Sequence, residues 1–151
     1  MGNRAVITTE ENFENNGIGI YVHWQGGVKS ATAFLEYCRM RGFRCPEDDN
    51  YGWARLTQVI ANFMGGDGLS VGIDTVDHLD CDNGDNGTYF IKGWKIVGGE
   101  YLCGYVEEYN MMELLYAIDE AQPKEQQLGK KKINELVDSK VKNFKGKINR
   151  G

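Results

Sequence analysis

Two amphipathic helical patterns follow each other directly, over residues 30–41 and 50–64, with strand-like runs before and after them. In the first, Ala31, Phe34, Leu35 and Cys38 fall at i, i+3, i+4 and i+7 and form one apolar stripe. In the second, Trp53, Leu56, Ile60, Phe63 and Met64 make a wider apolar face, the expected centre of the core. Ser30 is positioned to cap the first helix, and Gly42 suits the left-handed position after its last turn. Pro46 and the run Glu47-Asp48-Asp49 open the second, where carboxylates favour the positive end of the helix dipole, and Gly65-Gly66 close it. Helices and strands thus come in blocks rather than alternating, which predicts an α+β fold with a mainly antiparallel sheet.

The strand signals are short. "RAVIT" is followed by the turn residues Asn15-Asn16-Gly17, and "IGIYVHW" alternates Ile18, Ile20 and Val22 against Tyr21 and His23. After the helices come "LSVGID", "TYFIK", "WKIVGG" and "EYLCGYVEE", with Gly98-Gly99 as the expected turn between the last two. Asn110 and Glu113 form a capping-box pattern for "MMELLYAIDEA", which Gln122-Pro123 stops. The expectation is about five strands packed with two central helices and a C-terminal helix.

The 151 residues are 41% hydrophobic and 26% charged, enough length and apolar content for a buried core. We assign residues 1–128 to one α+β domain and residues 129–151 to a basic tail. The division follows the charge: the first part has 9 basic and 20 acidic side chains, net −11, and the tail has 8 and 2, net +6. An acidic body repels phosphates, so direct nucleic-acid binding is not expected. No apolar run approaches the roughly 20 residues of a membrane helix, and the opening residues lack a signal-peptide pattern, so a cytoplasmic protein without a membrane is expected. Cys38, Cys45, Cys81 and Cys103 form no C-x-x-C pair and read as packing residues. In the tail, Ile133, Leu136, Val137 and Val141 make a narrow helical stripe. A helix over 131–143 should be ordered only when packed against the body of the same or a neighbouring subunit.

The segment "IDTVDHLDCDNGDNGTYFI" concentrates Asp74, Asp77, Asp80, Asp82 and Asp85 with His78 and Cys81. As an EF-hand loop it fails: counted from Asp80, position 5 is Gly84 and position 12 is Ile91. Asn83-Gly84 and Asn86-Gly87 are turn dipeptides, so a connection between strands explains most of the segment. The crowded charge is the residue of that explanation. Five aspartates on one edge repel one another unless a basic partner or a cation neutralises them, so they are the candidate partner-binding residues.

A second candidate lies in "CRMRGFRC" and "DDNYGWAR". Arg39, Arg44 and Arg55 with Tyr51 and Trp53 would suit a nucleotide, guanidinium forks taking phosphate and aromatic rings stacking on a base. The Gly26-Gly27 pair before a helix is a weaker phosphate signal, lacking the full P-loop pattern. His23 has no nucleophile or carboxylate at a catalytic spacing, and no catalytic residue, metal or cofactor is assigned.

Together "GNRAVITTEENF", "GIGIYVHWQGG", "NYGWARLTQVIANF" and the aspartate-rich segment resemble a family of small proteins carried by phages and integrative elements of Gram-positive bacteria, over residues 2–128. The resemblance implies an accessory role on a mobile element. Such a role includes anti-CRISPR-like inhibition of a Cas effector, or sequestration of a cyclic nucleotide immune signal, for which the pocket of Arg39, Arg44, Arg55, Tyr51 and Trp53 would lie within one chain or across a homo-oligomer interface. The expected function is therefore a non-enzymatic inhibitor binding a host defence protein. A nucleotide sponge is the alternative, and a metal-dependent hydrolase the third.

Overall fold

A computed structural model describes residues 2–65, 70–103 and 107–146. The chain runs β1 (Ala5–Thr8), α1 (Glu10–Glu14), β2 (Ile18–Val22), α2 (Val28–Met40), α3 (Asn50–Phe63), β3 (Val71–Thr75), β4 (Thr88–Lys92), β5 (Lys95–Glu100), α4 (Met111–Glu120), α5 (Lys130–Leu136) and α6 (Ser139–Lys142). The five strands form one sheet in the order β3-β2-β1-β4-β5. Only β1 and β4 pair in parallel; the other neighbours are antiparallel. The fold is α+β.

Alternation along the strands divides the sheet into two covered faces. Ala5, Ile7, Ile20, Val22, Tyr89 and Ile91 join the core with α2, α3 and α4. Each fully buried Leu, Ile or Phe there contributes about 1.5–3 kcal/mol relative to exposure. On the opposite face, Phe13 of α1 packs on Phe90 at 5.1 Å between ring centroids. Leu79 lies so close to Gly19 that a Cβ there would come within 3.2 Å of it. The aspartate-rich segment and α1 therefore cover the back of the sheet. Helix α1 escapes the sequence reading because five residues carry little periodicity. Its signal is Thr9, which accepts from the Asn12 amide, followed by Glu10 and Glu11 in the first turn.

The segment from Asp74 to Asp85 is a connection between strands, as expected, and it joins strands that are not neighbours: β3 and β4 are separated in the sheet by β2 and β1, so it crosses two strands. Several local expectations are corrected. Gly98-Gly99 is not a turn but part of β5. The β4–β5 hairpin turns at Gly93-Trp94, with φ of 59° and 61°. Both residues lie in the left-handed region, as a two-residue type I′ loop requires, and a Trp at the second position hides that signal. "EYLCGYVEE" gives β5 only its Glu100; residues 101–103, 107 and 108 are not strand, and residues 104–106 lie outside the described ones. Leu69 and Gly66 also lie outside them. Gly27, not Ser30, is the N-cap of α2. Cys38 is buried, whereas Cys103 is exposed and not in a strand.

Over its described residues the tail forms two helices instead of one. The break falls at Val137-Asp138, where the extended ψ of both residues ends α5 and begins α6. Ile133 is fully buried in the main core; Leu136, Val137, Val141 and Phe144 pack against it. Two buried carboxylates hold the tail. Asp119 of α4 accepts from the Tyr37 hydroxyl (2.6 Å), the Leu128 amide (2.7 Å) and the Gly129 amide (2.9 Å). Glu36 of α2 takes a two-pronged bond from Arg39 and the Asp138 amide at 2.7 Å, while Arg39 also donates to the Leu136 carbonyl. This explains why α2 is buried well beyond the stripe visible in its sequence: Ala33, Glu36, Tyr37 and Met40 are covered as well.

Candidate functional site

The aspartate-rich segment is built around one buried side chain. The Asn83 carbonyl oxygen accepts from the amides of Asp85, Asn86 and Gly87, and its NH2 donates to the carbonyls of Asp80 and Gly87. Asn86 ties the loop to the entry of β1, donating to the Asn3 side chain and the Arg4 carbonyl. Gly84 and Gly87 take the positive φ values that their Asn-Gly pairs foretold.

The five aspartates do not share one fate. Asp85 is tied inward: the Arg4 guanidinium at 2.8 Å and the Arg4 amide at 3.0 Å hold its carboxyl below the usual range. Asp80 takes the other arm of Arg4 at 3.2 Å. Asp77 also sits below the usual range, because the Thr75 hydroxyl donates to it at 2.6 Å. His78 lies 3.4 Å from Asp77 and 3.5 Å from Asp74. Asp74 and Asp82 are exposed, and Asp82 makes no hydrogen bond or ion pair among the described residues. The expected partner-binding set is thus divided: Asp74, Asp77, Asp80 and Asp82 are exposed, Asp80 with one arm of Arg4 beside it, whereas Asp85 is part-buried and tied inward by Arg4.

The structure adds carboxylates the sequence reading missed. Asn16 at the end of α1 accepts from the Asp77 amide, and the Gly17 carbonyl accepts from the Val76 amide. These bonds bring α1 beside the segment, so Glu14 and Asp77 line one groove with Phe13, Asn16, Val76, Cys81 and Tyr101. Glu10 and Glu11 are exposed on the same helix. The available signal was the acidic run Glu10-Glu11 after Thr9, a helix start that went unread.

The nucleotide candidate is also divided. Arg44, Tyr51 and Arg55 line an open groove with Gly42 and Phe43, and Arg55 lies over the Phe43 ring at 5.8 Å. Arg44 is already paired with Asp49 at 2.6 Å. Arg39 is absent from this groove because it clamps the tail, and Trp53 is buried in the core. The helix-terminus signal at Gly26-Gly27 is accounted for internally. Glu107 occupies that end of α2, accepting from the Ser30 amide at 3.1 Å and the Ser30 hydroxyl at 2.9 Å. Gly27 makes room for it: a Cβ there would lie 1.9 Å from the Glu107 carboxyl carbon. His23 is hydrogen-bonded to the Tyr21 hydroxyl at 2.8 Å and stacks edge-on with Trp24.

Among the described residues, no three His, Cys, Asp or Glu side chains converge as a metal site would require, and no helix is long and apolar enough to cross a membrane. No family model matches the chain, and no curated protein or solved structure is similar to it at a meaningful level.

Proposed function

We propose that the protein is a non-enzymatic inhibitor that binds a component of bacterial defence, its acidic face entering a basic nucleic-acid groove such as that of a Cas effector. One observation carries the reading. Glu10, Glu11, Glu14, Asp74, Asp77 and Asp82 are exposed on two adjoining segments, and among the described residues only His78 lies close enough to pair with any of them. By contrast, Glu36, Asp85 and Asp119 are met by partners within the fold. An unanswered acidic face on a firmly anchored loop is suited to a cationic surface, and the attraction acts chiefly on association rate.

The test is DNA binding by a guide-loaded Cas effector in the presence of the protein. Changing Glu14→Gln, Asp77→Asn and Asp82→Asn together should slow association by about tenfold and flatten its salt dependence between about 0.1 and 0.5 M. A control set at exposed sites outside the groove, Glu113→Gln, Glu120→Gln and Glu125→Gln, should leave inhibition intact. Equal inhibition by both triple variants overturns the reading.

A second reading, a sponge for a cyclic nucleotide signal, is favoured by the convergence of Arg44, Tyr51 and Arg55. A ligand present at 100 times its dissociation constant stabilises a folded protein by about 2.7 kcal/mol. A thermal-shift screen of cyclic dinucleotides and trinucleotides therefore decides it, and no shift with any of them removes it.

A further inference from the structure

The docked tail leaves a cavity of about 190 Å³ between itself, α2 and the β4–β5 hairpin. Val28 and Leu35 of α2, Trp94 and Ile96 of the hairpin, and Val141 and Phe144 of the tail supply its apolar lining. Val28, Leu35 and Trp94 are buried, so the space reaches well into the fold. A cavity of about 150 Å³ with such walls holds one benzene ring. Three charged groups line it as well: Lys95, Asp138 and Lys140. Asp138 is engaged twice. It accepts from the Lys140 amide as the cap of α6, and its other oxygen lies 3.9 Å from the Lys95 ammonium. The Lys140 ammonium has no ion pair among the described residues and is exposed. The lining thus combines ring-sized apolar space with one surplus positive charge.

We propose that this cavity binds a small single-ring carboxylate, its ring among Leu35, Trp94 and Val141 and its carboxylate on the Lys140 ammonium. The surplus charge selects against the matching amine. The site shares no residue with the acidic face, so it neither needs nor supports the inhibitor reading.

Trp94 gives the readout, because its indole lines the cavity while its N–H donates to the Phe43 carbonyl at 2.9 Å. The full chain, labelled with ¹⁵N, is titrated to about 20 mM with phenylacetate, benzyl alcohol or benzylamine, concentrations suited to ligands of this size. The Trp94 indole signal is identified by its loss in Trp94→Phe. Phenylacetate should move it saturably and bind about fivefold tighter than benzylamine. Lys140→Gln, an exposed change that leaves the core untouched, should remove about that factor, as for a partly exposed ion pair, without altering benzyl alcohol binding. Absence of saturable movement overturns the proposal, as does equal affinity for amine and carboxylate. An unchanged phenylacetate affinity in Lys140→Gln also overturns it. A signal that moves instead with protein concentration assigns the cavity to a second copy of the chain and overturns it too.

Discussion

The aspartate-rich crossing and the basic tail look alike as sequence, each a run of like charge beside a body of opposite or equal sign. In the fold they differ in what their charges do. The tail is held by buried carboxylates of the body, Asp119 and Glu36, acting mainly on its backbone amides and, through Arg39, on a carbonyl. Its described lysines are exposed, with Lys95–Asp138 an ion pair from the body toward the tail. The crossing is held by a neutral hub, Asn83, and spends one basic residue, Arg4, on two of its five aspartates. Net charge therefore marked both regions without saying how either is anchored. In both, the anchor is a polar side chain meeting backbone groups that a buried loop must satisfy.

The comparison breaks first at its hubs. Asp119→Ala would leave the Tyr37 hydroxyl and the amides of Leu128 and Gly129 without their acceptor, a loss of about 4 kcal/mol in urea denaturation. A loss under about 1 kcal/mol would mean that the tail is an ornament on the fold. Ile133→Ala removes a fully buried side chain and should cost about 3 kcal/mol in the same assay. If only tail signals change in hydrogen exchange, the tail opens by itself and its core contact is not cooperative with the body. Asn83→Ala should cost about 2–3 kcal/mol, and exchange of the Asp85, Asn86 and Gly87 amides should accelerate.

The smallest effect sharpens the electrostatic side. Asp85 has its carboxyl held down by Arg4, so its contribution to stability is fully present above the ordinary carboxylate range and is lost as pH falls through its lowered value. Arg4→Gln should therefore lower stability most near neutral pH, and the gap from wild type should close on acidification toward about pH 2. A gap that widens on acidification contradicts the pairing. Thermal denaturation across the pH series measures it.

Much of the frame was legible. The strand alternation at Ile18, Ile20 and Val22, the stripes of α2 and α3, the glycine after α2 and the Asn110 cap all act within a few residues, and local periodicity reports them. What was missed depends on distant partners. The parallel pairing of β1 with β4 joins residues about eighty apart, and a sequence carries no mark of it. Trp94 holds a left-handed turn because its indole is buried and bonded to Phe43, a tertiary reward that overrides turn preference. The candidate site was half legible for the same reason. Composition picked out the aspartates, but which of them are paired within the fold depends on Arg4, and the addition of Glu14 depends on a helix seated by Phe13 against Phe90.

The central claim is that the outward carboxylates of α1 and the crossing engage a defence component. The most direct measurement is phage plating on a bacterium whose Cas effector carries a matching guide, with the protein supplied from a plasmid. The wild-type protein should restore plating, and the Glu14→Gln, Asp77→Asn, Asp82→Asn variant, expressed and folded to the same level, should not. Equal restoration by both, or none by the wild type, would contradict the account.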